Sequence, residues 1–132
     1  MHISNSAACV ELTTNNGPLR LSSVYIRPSI VDFSATTLTI LEALSAPFSI
    51  IGADANARSR MWDSPFNDKR GSDLESLLTC SNLRVVNQPH SELDFVPAGT
   101  SFVDLTLAGD KVCIHSWFFL DTPSLSDHPY IF

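Results

Sequence analysis

Apolar and polar positions change rhythm several times along the chain, and each change marks an element. Cys9–Leu12 reads as a short strand. Asn15-Asn16-Gly17-Pro18 follows as a turn signal, because Asn and Gly accept left-handed backbone and Pro fixes φ. Leu19–Ile26 alternates apolar and polar residues, the period of a half-buried strand, so the two strands form a hairpin. Pro28 ends the second strand. Asp32 or Ser34 can cap a helix over Ala35–Leu44, with Leu38, Leu41 and Ala43 or Leu44 facing inward. Pro47–Gly52 is an apolar strand running into a polar loop, the position at which α/β folds carry their sites. Residues 56–71 are irregular. Leu74, Leu77 and Leu78 give Ser72–Cys80 a helical stripe. Leu83–Val86, Asp94–Val96 and Ser101–Leu107 read as strands, the last entered through the turn Ala98-Gly99-Thr100. Trp117–Leu120 and the segment opening at Pro129 complete the pattern. Strands with interspersed helices define a mixed α/β or α+β fold.

The chain has 132 residues, the length of one domain. An apolar content of 44% suffices for a core. Lys and Arg number 8 against 14 Asp and Glu, a net charge of −6, which excludes a generally basic protein that coats nucleic acid. An enzyme whose acids hold a metal stays open. No apolar run approaches the roughly 20 residues of a membrane helix, and the first residues have neither the basic nor the apolar region of a secretory signal. Cys9, Cys80 and Cys113 are scattered and odd in number, so they read as buried thiols in a reducing compartment.

Polar groups gather at strand ends: Tyr25, then Asp54 and Asn56, then Asp104, then Asp127-His128. Carboxylates from separate strands can converge on a hard cation such as Mg²⁺, which takes one or two of them together with substrate phosphate. A neighbouring His serves as acid, base or donor to phosphate. An Asn contacts a phosphoryl oxygen without adding charge. Each position also has a plain structural reading. Asp54 with Asn56 makes an Asx turn, Asp104 is an edge-strand residue facing water, and Ser126-Asp127-His128 is a capped loop. Tyr25, Trp62 and Trp117 read as packing aromatics, and the Arg58–Arg70 stretch as a solvated loop.

The ordered set changes that balance. Ser23-Val24-Tyr25-Ile26-Arg27-Pro28, Gly52-Ala53-Asp54-Ala55-Asn56-Ala57 with Trp62, Arg70-Gly71, Ser101-Phe102-Val103-Asp104-Leu105-Thr106-Leu107 and Ser126-Asp127-His128 occur in that order. The series resembles the motifs of the endonuclease/exonuclease/phosphatase (DNase I-like) superfamily, and most closely the endonuclease domain of non-LTR (R1-like) retrotransposons. The resemblance runs from about Val10 to Phe132. It implies an α+β fold that is part of a four-layer α/β/β/α sandwich, with 1–132 a partial domain. It also implies metal-dependent hydrolysis of DNA phosphodiesters with Mg²⁺ or Mn²⁺.

The resemblance assigns roles. Asp54, Asn56, Asp104 and His128 are catalytic, with Asp104 orienting His128. Tyr25 and Asn56 contact phosphate, and Asp54 and Asp127 lie at the metal. Arg58, Arg60, Lys69 and Arg70 are candidates for DNA contact. Whether Asp54 or His128 takes the proton from water is left open. A reverse-transcriptase domain is the implied partner, and the implied location is intracellular and nuclear, without a membrane. The family pattern starts earlier than this chain. The expected polar Asn and metal-binding Glu have no counterpart, and Glu11 reads as a surface residue of the hairpin. The expectation is therefore an N-terminally truncated domain with exposed sheet surface and impaired nicking. Two other readings stand beside it: a non-catalytic remnant or binding module of the same fold, and a phosphatase of inositol phosphates or phospholipid head groups.

Overall fold

The computed structural model describes residues 2–4, 6–88, 103–120, 122, 126 and 128–132. The expected hairpin consists of β2 (Ala7–Thr14) and β3 (Gly17–Tyr25), antiparallel from Ala7↔Val24 to Thr14↔Gly17. Asn15 and Asn16 form its two-residue loop, and Gly17 leaves that loop at φ 107°, a conformation that glycine adopts without steric cost. Glu11 is exposed and pairs with Arg20 at 3.1 Å. A short strand that the pattern did not reveal, β1 (His2–Ser4), adds to the outer edge of β2.

Helix α1 (Phe33–Leu44) follows β3 and returns the chain to β4 (Ser49–Asp54), which lies parallel to β3. Of the two expected caps it is Asp32 that acts, accepting from the Ala35 amide at 3.0 Å. The buried stripe is Phe33, Thr37, Ile40, Leu41 and Leu44, whereas Leu38 is exposed. Starting the helix two residues earlier, on Phe33, explains the difference: the i, i+4, i+7, i+8 face counted from Phe33 omits position 38.

Between β4 and α2 (Lys69–Thr79) lies an irregular stretch, broken by one 3₁₀ turn, Arg60–Trp62; it is shorter than expected because Asp68 caps α2 ahead of Ser72, so Lys69–Gly71 are helical. Asp68 organises it. Its Oδ1 accepts from the amides of Gly71 and Arg58, and its Oδ2 pairs with the Arg58 guanidinium at 3.4 Å. Trp62 is buried and donates Nε1–H to the Ala57 carbonyl. Leu74 and Leu78 are buried and Leu77 partly so, as the stripe requires.

Strand β5 (Leu83–Val85) pairs with β6 (Asp104–Gly109), and β6 pairs antiparallel with β4. Among the described residues the sheet has six strands, in the order β1-β2-β3-β4-β6-β5. The expected strand at 94–96 and the turn at 98–100 lie outside the described residues, as do 101 and 102 of the expected strand start. The expected strand at 117–120 is reduced to a single bridge, Phe119↔Ile131, with backbone bonds joining Phe118 to Phe132 and Leu120 to Tyr130.

Strand periodicity sorts the two faces. Ile51↔Leu107 and Ala53↔Leu105 face α1 and α2, in one core with Cys9, Val24, Leu83 and the helix leucines. Ile50↔Ala108, Gly52↔Thr106 and Asp54↔Asp104 face the other way. That second face is covered at one end by Trp117 and Phe119, packed edge to face over Ala108 and Val86. Toward the hairpin it carries the exposed Val10 and Leu12. Of the three free thiols only Cys9 is buried; Cys80, just past the last turn of α2, and Cys113 are exposed, against the expectation of three core thiols. No helix among the described residues is long and apolar enough to cross a membrane.

Gly71 packs directly against the backbone of the 56–68 loop. A Cβ there would lie 1.7 Å from the Arg58 carbonyl oxygen, so Gly71→Ala forces backbone movement. The expected loss is about 2–3 kcal/mol, read as a lower urea midpoint with unchanged slope.

Candidate active site

The three strand ends meet on the helix-free face. Tyr25 and Asp54 are Cα partners at the last position of the parallel β3–β4 ladder, and Asp54 and Asp104 are Cα partners at the end of the β4–β6 ladder. The two carboxylates thus sit directly across from each other, a like-charge pairing that is unfavourable on its own. His128 supplies the bridge. Its Nδ1 lies 2.8 Å from Asp104 Oδ2 and its Nε2 lies 3.6 Å from Asp54 Oδ2. Both carboxylates are largely shielded from solvent, and the imidazole is about a third exposed, with side-chain accessibilities of 19%, 18% and 38% for Asp54, Asp104 and His128.

Asp104 is not an edge residue facing water. It lies in β6, inside the sheet order, and its carboxylate fixes one nitrogen of the imidazole. The Asx turn after β4 is present as well: Asn56 sits at φ 46° and donates its amide to Asp54 Oδ1 at 3.1 Å. The Asn56 side-chain NH₂ donates to the Ile26 carbonyl, one residue beyond Tyr25. One local structure therefore serves two ends: it turns the chain away from β4 and aims the Asp54 carboxylate at His128. Tyr25 is exposed at the rim, not a core aromatic, while Trp62 and Trp117 are buried as expected. Asp127 lies outside the described residues.

The four basic candidates separate. Arg60 is exposed in the 3₁₀ turn, beside the exposed Met61. Arg58 is half-buried, pairs with Asp68 and lies 6.0 Å from the Phe66 ring. Lys69 is exposed and pairs with Asp73 at 2.8 Å, a bond that holds the Asp73 carboxyl below the usual carboxylate range. Arg70 departs from its expected place on a basic rim. Its guanidinium is turned inward, donating Nη1 to the carbonyls of Arg27 and Pro28 and Nη2 to those of Ile26 and Ala55. Burial lowers its pKa, opposed by the nearby Asp68 and Asp54 carboxylates.

Asn87 is a contributor that the sequence reading passed over. Beyond the end of β5 its side chain stands in for a strand, donating to the Asp104 carbonyl at 2.9 Å and accepting from the Thr106 amide at 2.7 Å. An amide residue placed just after an apolar strand was the available signal. Trp117 adds a bond from Nε1 to Thr106 Oγ1, bracing β6 from the second face.

The donor atoms of Asp54, Asp104 and His128 lie within 4.8 Å of one another, close enough to hold a metal ion. Oxygen-rich donors suit a hard divalent cation.

Over residues 19–132 the chain matches the endonuclease-reverse transcriptase family model, and it belongs to that family. Its DNase I-like fold is shared with the endonuclease domain of TRAS1, a telomere-specific non-LTR retrotransposon, at a TM-score of 0.82 and 26% identity. The match covers 97% of this chain and 60% of that one. No protein of curated function matches the chain in sequence.

Replacing Asn87 by Ala leaves the Asp104 carbonyl and the Thr106 amide without their partner. The expected destabilisation is about 1–2 kcal/mol, measured by urea unfolding, with faster amide exchange at Thr106.

Proposed function

We propose that this chain carries the hydrolytic site of a metal-dependent DNA endonuclease acting alongside a reverse-transcriptase domain. The single observation that supports this best is the Asp104–His128–Asp54 chain of contacts at the ends of two paired strands. Asp104 orients the imidazole by accepting from Nδ1–H, which leaves Nε2 as the basic nitrogen of the neutral ring. Nε2 is turned toward Asp54, so it stands where a water bound beside that carboxylate has its proton. His128 accepts this proton as the water oxygen adds to phosphorus and the bond from phosphorus to the leaving sugar oxygen breaks.

Asp54 would hold a Mg²⁺ or Mn²⁺ ion, together with Asp127 as the second carboxylate. When bound, the ion supplies charge neutralisation for the phosphoryl oxygens. Tyr25, at the exposed rim of the same face, donates its hydroxyl to a phosphate oxygen. Asn56 fixes the Asp54 carboxylate through its backbone amide, while its side-chain NH₂, the group expected at phosphate, donates to the Ile26 carbonyl.

A net charge of −6 opposes DNA binding in general, so affinity has to come from local cations. Arg27, exposed two residues beyond Tyr25, and Arg60, exposed in the loop after β4, are the candidates for phosphate contact. Arg58 and Lys69 contribute less, because Asp68 and Asp73 already balance them.

The test is conversion of supercoiled plasmid to open circles by the purified chain. Weak nicking is expected with Mg²⁺ or Mn²⁺, in keeping with the impaired activity expected from the sequence, and none with excess EDTA. Asp54→Ala and His128→Ala should each lower the rate by at least about 10²-fold, and Asp104→Asn by a similar factor through loss of the correct imidazole tautomer. Metal-independent nicking, or full activity in His128→Ala, would overturn the proposal.

A further inference from the structure

Arg70 offers four Nη hydrogens, and four backbone carbonyls take them up. Two of these acceptors carry the argument. The Ile26 carbonyl belongs to the residue immediately after Tyr25, and the Ala55 carbonyl to the residue immediately after Asp54. One nitrogen, Nη2, bonds both, at 3.4 and 3.0 Å. Tyr25 and Asp54 are the last register pair of β3 and β4, so the guanidinium sits where the parallel ladder runs out. Past that point the two chains diverge, one toward α1 and the other into the Asn56 turn. Ile26 is tied once more by its own amide to the Asp54 carbonyl at 2.9 Å.

The arginine is itself held rigidly. Its guanidinium carbon lies 4.2 Å from the centre of the Phe33 ring, the first residue of α1. The next residue, Gly71, is locked against the Arg58 backbone, which fixes the first turn of α2 from which Arg70 reaches out. Its Nε is buried without a hydrogen-bond partner, the usual cost of turning a guanidinium inward. A planar fork with fixed donor directions suits several divergent acceptors, and an ammonium group does not reproduce it.

We propose that Arg70 is a positioning residue for the phosphodiester-cleaving site: it joins the chain segments just beyond Tyr25 and Asp54 and so sets the separation of the phosphate-contacting and metal-holding side chains. The inference rests on the function proposed above and deepens it. It gives Arg70 an internal role in place of contact with DNA.

The test uses the full chain with Arg70→Lys and Arg70→Ala, each checked for a native circular dichroism spectrum. Arg70→Lys keeps the charge and loses the fork. Its turnover on plasmid should fall about 10²-fold, because a displacement of about 1 Å at a reacting centre has that effect. KM for DNA should stay within about twofold. For Arg70→Ala, the slope of log affinity against log salt should equal that of the wild type, whereas loss of a phosphate contact would lower it by about one. Wild-type turnover in Arg70→Lys, or a reduced salt slope in Arg70→Ala, would overturn the inference.

A readout without catalysis separates this from the function itself. Amide exchange at Ile26, Ala55 and Asn56 should quicken at least about tenfold in Arg70→Lys, with Leu105 and Leu107 unchanged. If the wild type does not nick DNA but these amides quicken, the function fails and the clamp stands. If they do not quicken, the clamp fails whatever the activity. Should Arg70→Ala not fold, Arg70→Lys alone decides.

Discussion

Two carboxylates placed directly across a strand pair, with an imidazole touching both, are the constraint around which this molecule is arranged. Asp54 and Asp104 face each other because β4 and β6 are antiparallel in a register that pairs them. A slip of one residue in either strand would send its carboxylate to the helix side, into the core with Ile51 and Leu107. The apolar pattern of the sheet therefore fixes the site: the alternation that buries Ile51, Leu105 and Leu107 under the helices also presents Asp54, Asp104 and Thr106 on the opposite face. His128 lies against both, with Nδ1 2.8 Å from Asp104 and Nε2 3.6 Å from Asp54.

The loops around that pair are unusually well tied for irregular chain. Asp68 caps α2 and holds Arg58; Asn56 closes its own turn and reaches Ile26; Arg70 gathers carbonyls from both strand ends; Asn87 completes the edge of β6 where β5 has stopped. Backbone polar groups that leave a sheet must find partners, and here side chains supply them. The same bonds set the distances between groups that would do chemistry, so the stability of the loops and the geometry of the site rest on the same atoms.

Much of this was legible from the residues. The hairpin, both helices, the strands at 49–54 and 83–85 and the link between Asp104 and His128 follow from alternation, from caps and from the ordered motifs. Other features were hidden for physical reasons. The register of α1 depended on whether Phe33 belonged to it, and a Phe beside a capping Asp can lie on either side of a helix boundary. Arg70 looked like a surface cation because arginines in polar loops usually are. Only the convergence of four carbonyls, from the two segments that follow β3 and β4, turns it inward, and no local pattern encodes that. Asn87 was overlooked because an amide after a strand usually means a turn. Cys80 and Cys113 lie at the surface because apolar character alone does not say which side of an element a residue occupies.

The central claim is that Asp54, Asp104 and His128 form one site that takes a divalent ion while Asp104 keeps hold of the imidazole. Crystals soaked in Mn²⁺ and measured at the manganese absorption edge test it most directly. The account predicts an anomalous peak at the Asp54 carboxylate, with His128 still bonded to Asp104 through Nδ1. Manganese bound only elsewhere on the molecule, or a His128 ring turned away from Asp104, would contradict it.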